Sequence, residues 1–253
     1  MLFCRASATF SVMTAQVYTG RLAEDELDRI IRQASRVKGA GERIAYISRH
    51  FLGTLYREST LKGDLRTPEE LVVNLEGVDC FTFLDYVEAM RMARTFTDFL
   101  TRLPQVRYQD GVVSYRTRNH FFTDWAVHHG QFLRDVTAEI GGGRVVSVQK
   151  LLNLKEDGSL FLEGIEPELR TITYLPAEVL DAVTAAALKT GDYAGVFTLH
   201  AGLDVSHVGI IVRTGGVLML RHASSDAGSV VDQDVMAYLK GRPGLVILRP
   251  AEA

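Results

Sequence analysis

The chain's hydrophobic period is helical at its start and strand-like toward its end, and that order limits the folds open to it. From residue 24 to residue 53 apolar side chains recur at helical spacing: Leu27, Ile30, Ile31 and Ala34, then, after a Gly-Ala-Gly break at 39–41, Ile44, Ile47, Phe51 and Leu52. From residue 193 onward they fall into short strand-like blocks, YAGVFTL, VSHVGIIVR, GVLMLRHA and GLVILRP, with one helical stretch, DQDVMAYLKG, before the last. Helices first and strands last describe an α+β domain rather than a parallel doubly wound sheet. No repeat, low-complexity segment or linker divides the sequence. Residues 21–253 therefore read as one domain, behind a segment 1–20 expected to be disordered.

The middle of the chain is less regular. Residues 112–140 suggest a strand-like start, a polar and aromatic loop, and a helix whose apolar stripe is Trp125, Phe132, Leu133 and Val136, ended by three glycines at 141–143. Residues 144–175 look strand-like, and 176–189 look helical with Pro176 near the start. The 28 basic and 31 acidic residues give a formal charge of −3, which supplies no electrostatic footprint for nucleic acid or an anionic membrane. No apolar run is long enough to span a bilayer. The opening MLFCRASATFSVMTAQ carries one charge, Arg5, and gives no support for a signal peptide.

Of the two cysteines, Cys4 and Cys80, the second stands where a loop becomes a helix, in GVDCFTFLDYVEAM at 77–90. Phe83, Leu84, Val87 and Met90 follow it on one helical stripe. Asp79 is placed to cap that helix. Unpaired amides at a helix N-terminus favour thiolate, so the position suits a reactive thiol. Two histidines offer partners: a two-residue turn at Thr214–Gly215 or Gly215–Gly216 puts His207 and His222 on one face of a hairpin. The expectation is that the Cys80 helix packs on that face, with His207 as acid–base and His222 orienting it. A buried filler cysteine, or a zinc site formed by Cys80, His207 and His222, would use the same residues differently.

Five segments, GVDCFTFLDYVEA, RNHFFTDW, YLPAEVLDAVTAAALKTGDYAGVFT, GLDVSHVGIIV and RHASSDAGSV, occur in the order found in a bacterial family. Over about residues 25–250 the chain resembles N-acetylmuramoyl-L-alanine amidases within the NlpC-like cysteine peptidases of papain-like fold. The resemblance implies a nucleophile helix on an antiparallel sheet, N-terminal helices and a long insertion between nucleophile and base. It implies Cys80, His207 and His222 as catalytic residues, with no cofactor or metal, and peptidoglycan fragments as partners. Tyr56 looks like the family's active-site tyrosine, although Leu55 replaces the usual proline before it; Asp79 would give further support.

The implied reaction cuts between muramic acid and L-alanine, with anhydro-muropeptides as substrate. The alternatives are endopeptidase cleavage between D-glutamate and a diamino acid, and a non-catalytic muropeptide-binding module. Arg118, Asn119, Phe121, Phe122, Asp124 and Trp125 are the expected wall of a sugar site, by aromatic stacking and hydroxyl hydrogen bonds. Arg221, Ser224 and Ser225, which flank His222, are expected to touch substrate. A peptidoglycan substrate implies the bacterial envelope or periplasm, and the missing export signal keeps the cytoplasm open.

Overall fold

The computed structural model describes residues 15–252; Cys4 lies outside them. Strand β1, Gln16–Tyr18, is followed by α1, Glu24–Ala34, and α2, Ala40–Ser48. Both helices bury the apolar stripe read from the sequence, and α1 opens with Glu24, Asp25 and Glu26, the sign its N-terminal dipole favours. Three short strands come next, β2 at Leu55–Tyr56, β3 at Val72–Asn74 and β4 at Gly77–Val78, and β4 runs directly into α3, Cys80–Met92. β1 pairs in parallel with β3, so the segment expected to be disordered already contributes structure at residues 16–18.

After α3 the chain forms α4, Phe96–Arg107, capped by the Thr95 hydroxyl and not among the elements expected from the sequence. The single helix expected near 120–140 is three elements: α5 at Asp124–His128, strand β5 at Leu133–Asp135 and α6 at Thr137–Gly141. Backbone pairing overrides the helical spacing here, because β5 adds to the strand near the C-terminus, Arg134 opposite Arg249. Strands β6, Val146–Leu152, and β7, Glu168–Pro176, form a hairpin. Pro176 therefore ends a strand instead of starting a helix; the following helix, α7, is only Ala182–Ala187, capped by the Asp181 carboxylate. The remaining elements are β8, Tyr193–Phe197, β9, Val205–Thr214, β10, Val217–Ser224, β11, Ser229–Asp234, α8, Val235–Leu239, and β12, Gly244–Pro250.

Strands β4-β2-β11-β10-β9-β8-β12-β7-β6 join in that order into one sheet, with β5 attached to β12. Every pairing along it is antiparallel except β2 with β4. The turn between β9 and β10 is Gly215–Gly216, since Thr214 pairs with Val217. Residues alternate between the two sheet faces, and each face has its own core. Val208, Ile210, Ala223 and Val230 join Phe83, Val87 and the N-terminal helices. Ile211, Leu218 and Leu220 join Val235, Leu239 and the helices on the other side.

Helix α3 is enclosed on all sides: every residue from Thr82 to Arg91 is buried, including Asp85, Glu88 and Arg91. Burial of these charges is tolerable because each is paired. Arg107 of α4 donates to Asp85 at 2.7 Å and to the Val72 carbonyl at 2.8 Å. Arg91 forks onto Glu88, whose carboxylate also accepts from the Tyr193 hydroxyl of β8 at 2.7 Å. Removing one member leaves a buried charge unpaired. Arg107→Ala is expected to cost about 3–5 kcal/mol in urea unfolding, and a loss under about 1 kcal/mol would show that this pair does not fix α3 to α4.

Candidate active site

Cys80 takes its place from a capping box. The Asp79 carboxylate accepts from the amides of Phe81 at 2.9 Å and Thr82 at 2.7 Å, and the Thr82 hydroxyl accepts from the Asp79 amide at 3.0 Å. Cys80 is thereby the first helical residue, half-buried, at the point where β4 turns into α3. Tyr56 lies on the neighbouring strand, opposite Val78, and its hydroxyl meets Glu58 at 3.1 Å.

His207 and His222 are brought together, His207 Nε2 to His222 Nδ1 at 2.7 Å with the rings near perpendicular. They are not directly opposite. In the observed register His222 would face Gly209, so the contact runs diagonally across the β9–β10 seam. A side chain at Gly209 would place its Cβ 2.7 Å from Leu220 and 3.0 Å from His222, so glycine permits this close approach. The body of α3 packs on the face carrying Val208 and Ile210, opposite the face that carries both histidines, which corrects the expected arrangement. Tyr238 of α8 lies on the histidine face, with its ring 5.0 Å from that of His222 and 6.0 Å from that of His207.

The Cys80 sulfur meets β9 at the end of this seam, through the Val208 amide. The β9–β10 ladder stops at the pair Ile210 and Arg221, while β8–β9 pairing continues to Val205. Beyond that stop the Val208 amide turns toward the Cys80 sulfur. Since Val208 directly follows His207, the sulfur sits against the backbone from which the His207 ring springs. The two histidines bond to each other, and His222 Nε2 meets Gln233 Oε1 at 2.7 Å; Cys80 bonds to neither ring. Among the described residues no three His, Cys, Asp or Glu side chains are grouped to hold a metal ion, so the zinc arrangement is not formed.

Residues 46–245 match the profile of the AmiA-like family, described as N-acetylmuramoyl-L-alanine amidase-like. The chain belongs to that family. A Legionella pneumophila protein of known structure shares its fold, at 22% identity with a TM-score of 0.76, over 90% of this chain and 94% of the other. An N-acetylmuramoyl-L-alanine amidase from Bacteroides uniformis is 28% identical, with a TM-score of 0.70 over 84% of this chain and 99% of that one. A Bacteroides fragilis protein described as a xylanase candidate is 29% identical, with a TM-score of 0.64 over 80% and 98%. No curated protein sequence matches significantly.

Within this family member the expected sugar wall is a packing unit. Phe121, Phe122 and Trp125 are buried, and Trp125 fills the space between Phe81, next to the nucleophile candidate, and Tyr193. Asp124 is buried against Arg170 at 2.6 Å. Asn119 is buried, bonded to the Val106 carbonyl, His128 and His129. Arg118 is held by Glu69 and the Gly63 carbonyl. These groups hold the region around α3 in place, and all but the half-buried Arg118 are buried away from a ligand. Arg221 is likewise buried in a bidentate pair with Asp232, and the Ser224 hydroxyl accepts from the Ala227 amide in a turn. Ser225 alone of the nine is exposed.

The open surface near the histidines is elsewhere. A cleft of about 500 Å³ is lined by Phe197, Thr198, Leu199, Ser206 and Arg242, among others. Ser206 precedes His207, and the Arg242 guanidinium lies 4.4 Å from the centre of the Tyr238 ring. Neither Gln233 nor Tyr238 nor Arg242 stood out in the sequence. The available signal was the alternation of SVVDQD, which marks β11 and puts Gln233 on the His222 face.

Burial pushes the Cys80 thiol up to about 12, aided by the nearby Asp79 carboxylate, against the opposing pull of the amides of Val208, Cys80 and Phe81. Burial and the neighbouring His222 push His207 down to about 3. Burial also lowers His222. The resting site is thus a neutral thiol beside neutral imidazoles, where helix electrostatics alone favoured thiolate. Because the thiolate fraction rises with pH until the thiol pKa is reached, alkylation of Cys80 by iodoacetamide should accelerate about tenfold per pH unit from pH 7 to 10. Mass spectrometry of the Cys80 peptide separates this from Cys4. A plateau below pH 7 would mean that a thiolate–imidazolium pair is already formed.

Proposed function

We propose that this protein is a cysteine amidase that cleaves the bond between N-acetylmuramic acid and L-alanine in peptidoglycan fragments, with anhydro-muropeptides as substrate. Family membership supports the reaction class, and one local observation carries the mechanism: a hydrogen-bonded histidine pair lies beside the strand amide that faces the cysteine opening α3. In this reading the core is of the papain-like, NlpC type, Cys80 is the nucleophile, His207 the base and His222 its orienting partner.

The Cys80 sulfur attacks the lactyl carbonyl as His207 Nδ1, the ring nitrogen not engaged with His222, takes the thiol proton. Asp79 already occupies the amides of Phe81 and Thr82, so the Cys80 amide is the first-turn donor left to receive the oxyanion. Collapse breaks the C–N bond, and His207 returns the proton to the departing L-alanine nitrogen. Water, deprotonated by the same imidazole, then hydrolyses the thioester and restores the thiol. Tyr56 borders the nucleophile loop and supports it from the neighbouring strand. The substrate enters by the cleft beside Ser206 and Arg242. A peptidoglycan substrate supports the bacterial envelope or periplasm as the enzyme's place, with the cytoplasm as the alternative for released fragments.

The neutral resting pair suits a mechanism in which the proton moves during attack. A charged thiolate–imidazolium pair would have to be created in a desolvated site, which costs more than transferring the proton as the new bond forms. Incubation with a purified anhydro-muropeptide, followed by mass spectrometry, is expected to release anhydro-N-acetylmuramic acid and an intact stem peptide. Fragments cut between D-glutamate and the diamino acid would instead identify an endopeptidase. Cys80→Ala should lower turnover at least about 10³-fold with an unchanged unfolding midpoint, and full activity in that variant would overturn the assignment.

A further inference from the structure

The histidine pair does not end at His222. Its Nε2 lies 2.7 Å from Gln233 Oε1, so three residues on three adjacent strands, β9, β10 and β11, form one continuous hydrogen-bonded line. Each step is diagonal: His222 pairs across the ladder with Val231, and Gln233 with Leu220, which places Gln233 one pleat away on the same face as His222. The whole line is closed on one side by Tyr238, whose ring meets both imidazoles.

A neutral imidazole has one donor and one acceptor nitrogen, so the end of such a line sets the direction of every bond in it. If Gln233 presents its carbonyl oxygen, His222 must donate from Nε2 and accept at Nδ1. His207 must then donate from Nε2, and its Nδ1 is left with a free lone pair. If Gln233 presented its amide nitrogen instead, each bond would reverse and His207 Nδ1 would carry the proton. A protonated Nδ1 cannot accept the thiol proton. One exposed glutamine, outside the cysteine and both histidines, therefore decides whether the site contains a base.

We propose that Gln233 is a positioning residue that fixes both histidines in the Nε2–H tautomer and thereby leaves His207 Nδ1 unprotonated toward Cys80. The inference rests on the amidase reading for its purpose, but its structural content is independent of that reading. Gln233 is exposed on β11 and its other amide end is free to meet water, so replacing it does not open a core.

Long-range nitrogen–proton correlation spectra of histidine-labelled protein read the tautomers directly, with assignments from His207→Asn and His222→Asn. In the wild-type protein both histidines should be Nε2–H at pH 8. Gln233→Leu should give a mixed tautomer population at His222 and His207 and a kcat lowered about tenfold with KM unchanged, a fraction of what proton transfer contributes. Gln233→Glu keeps an acceptor, should retain the Nε2–H form, and should move the acid limb of the kcat profile to higher pH by favouring imidazolium. Wild-type His207 in the Nδ1–H form, or unchanged tautomers in Gln233→Leu, would overturn the proposal. A wild-type protein with the expected tautomers and no amidase turnover would reject the enzymatic reading while leaving Gln233's role standing.

Discussion

The structure depends on how α3 is enclosed. A helix surrounded by protein ordinarily has apolar side chains all round, yet α3 buries Asp85, Glu88 and Arg91: Asp85 is neutralised by Arg107 of α4, while Glu88 and Arg91 pair with each other and Glu88 also accepts from Tyr193 of β8. Arg107 ties the helix to α4, Tyr193 ties it to β8, and the Arg107 bond to the Val72 carbonyl ties it to β3, the partner strand of β1. Apolar packing alone tolerates small slips and rotations; paired buried charges do not, because a displaced helix would strand them in low dielectric. The consequence is felt at the helix end. Cys80 is held to one place relative to β9 because the rest of α3 has no alternative seating.

The same enclosure sets the electrostatics of the site. The amides at the start of α3 pull toward thiolate, and removal of water pushes the other way more strongly. Asp79 adds to that push, although its side chain is already engaged by two amides. On the histidine side, burial and the proximity of a second imidazole both oppose a positive charge. Neither partner is stabilised in its charged form. Such a site stays uncharged until a substrate arrives, and this also keeps an isolated thiol from reacting with whatever reaches it.

Much of this was legible in the sequence, and the failures have physical causes. The α1 and α2 stripes, the β9–β10 hairpin, the Asp79 cap and the pairing of His207 with His222 all follow from local periodicity and turn chemistry, which act over a few residues. The segment RNHFFTDW misled because an aromatic cluster next to polar groups has the same composition whether it lines a sugar site or fills a core. What decides the matter is the presence of Arg170, Glu69 and Tyr193 as partners, and these lie 45 or more residues away in the chain. Likewise Pro176 suits a helix start, but the pairing of β7 with β12, Gly244 opposite Pro176, draws it into a strand. The face on which α3 would pack was out of reach for the same reason, since both faces of β9 carry apolar residues.

Strand geometry supplies the last link. A one-residue shift in the β9–β10 turn would send His222 to the opposite face from His207, and Gly215–Gly216 with positive φ at both positions is the turn that fits the twist of the two strands. The diagonal contact of His207 with His222 follows from that register, and the second diagonal, to Gln233, follows from the register of β10 with β11. Gly209 then lets the two strands approach closely enough for the first bond to form. The ladder opens at Ile210 and Arg221, one residue short of this point, and frees the Val208 amide to face the thiol. The line of polar contacts and the break in backbone pairing thus meet at one place, where the Cys80 sulfur, on the far face of the sheet, lies against the backbone next to His207.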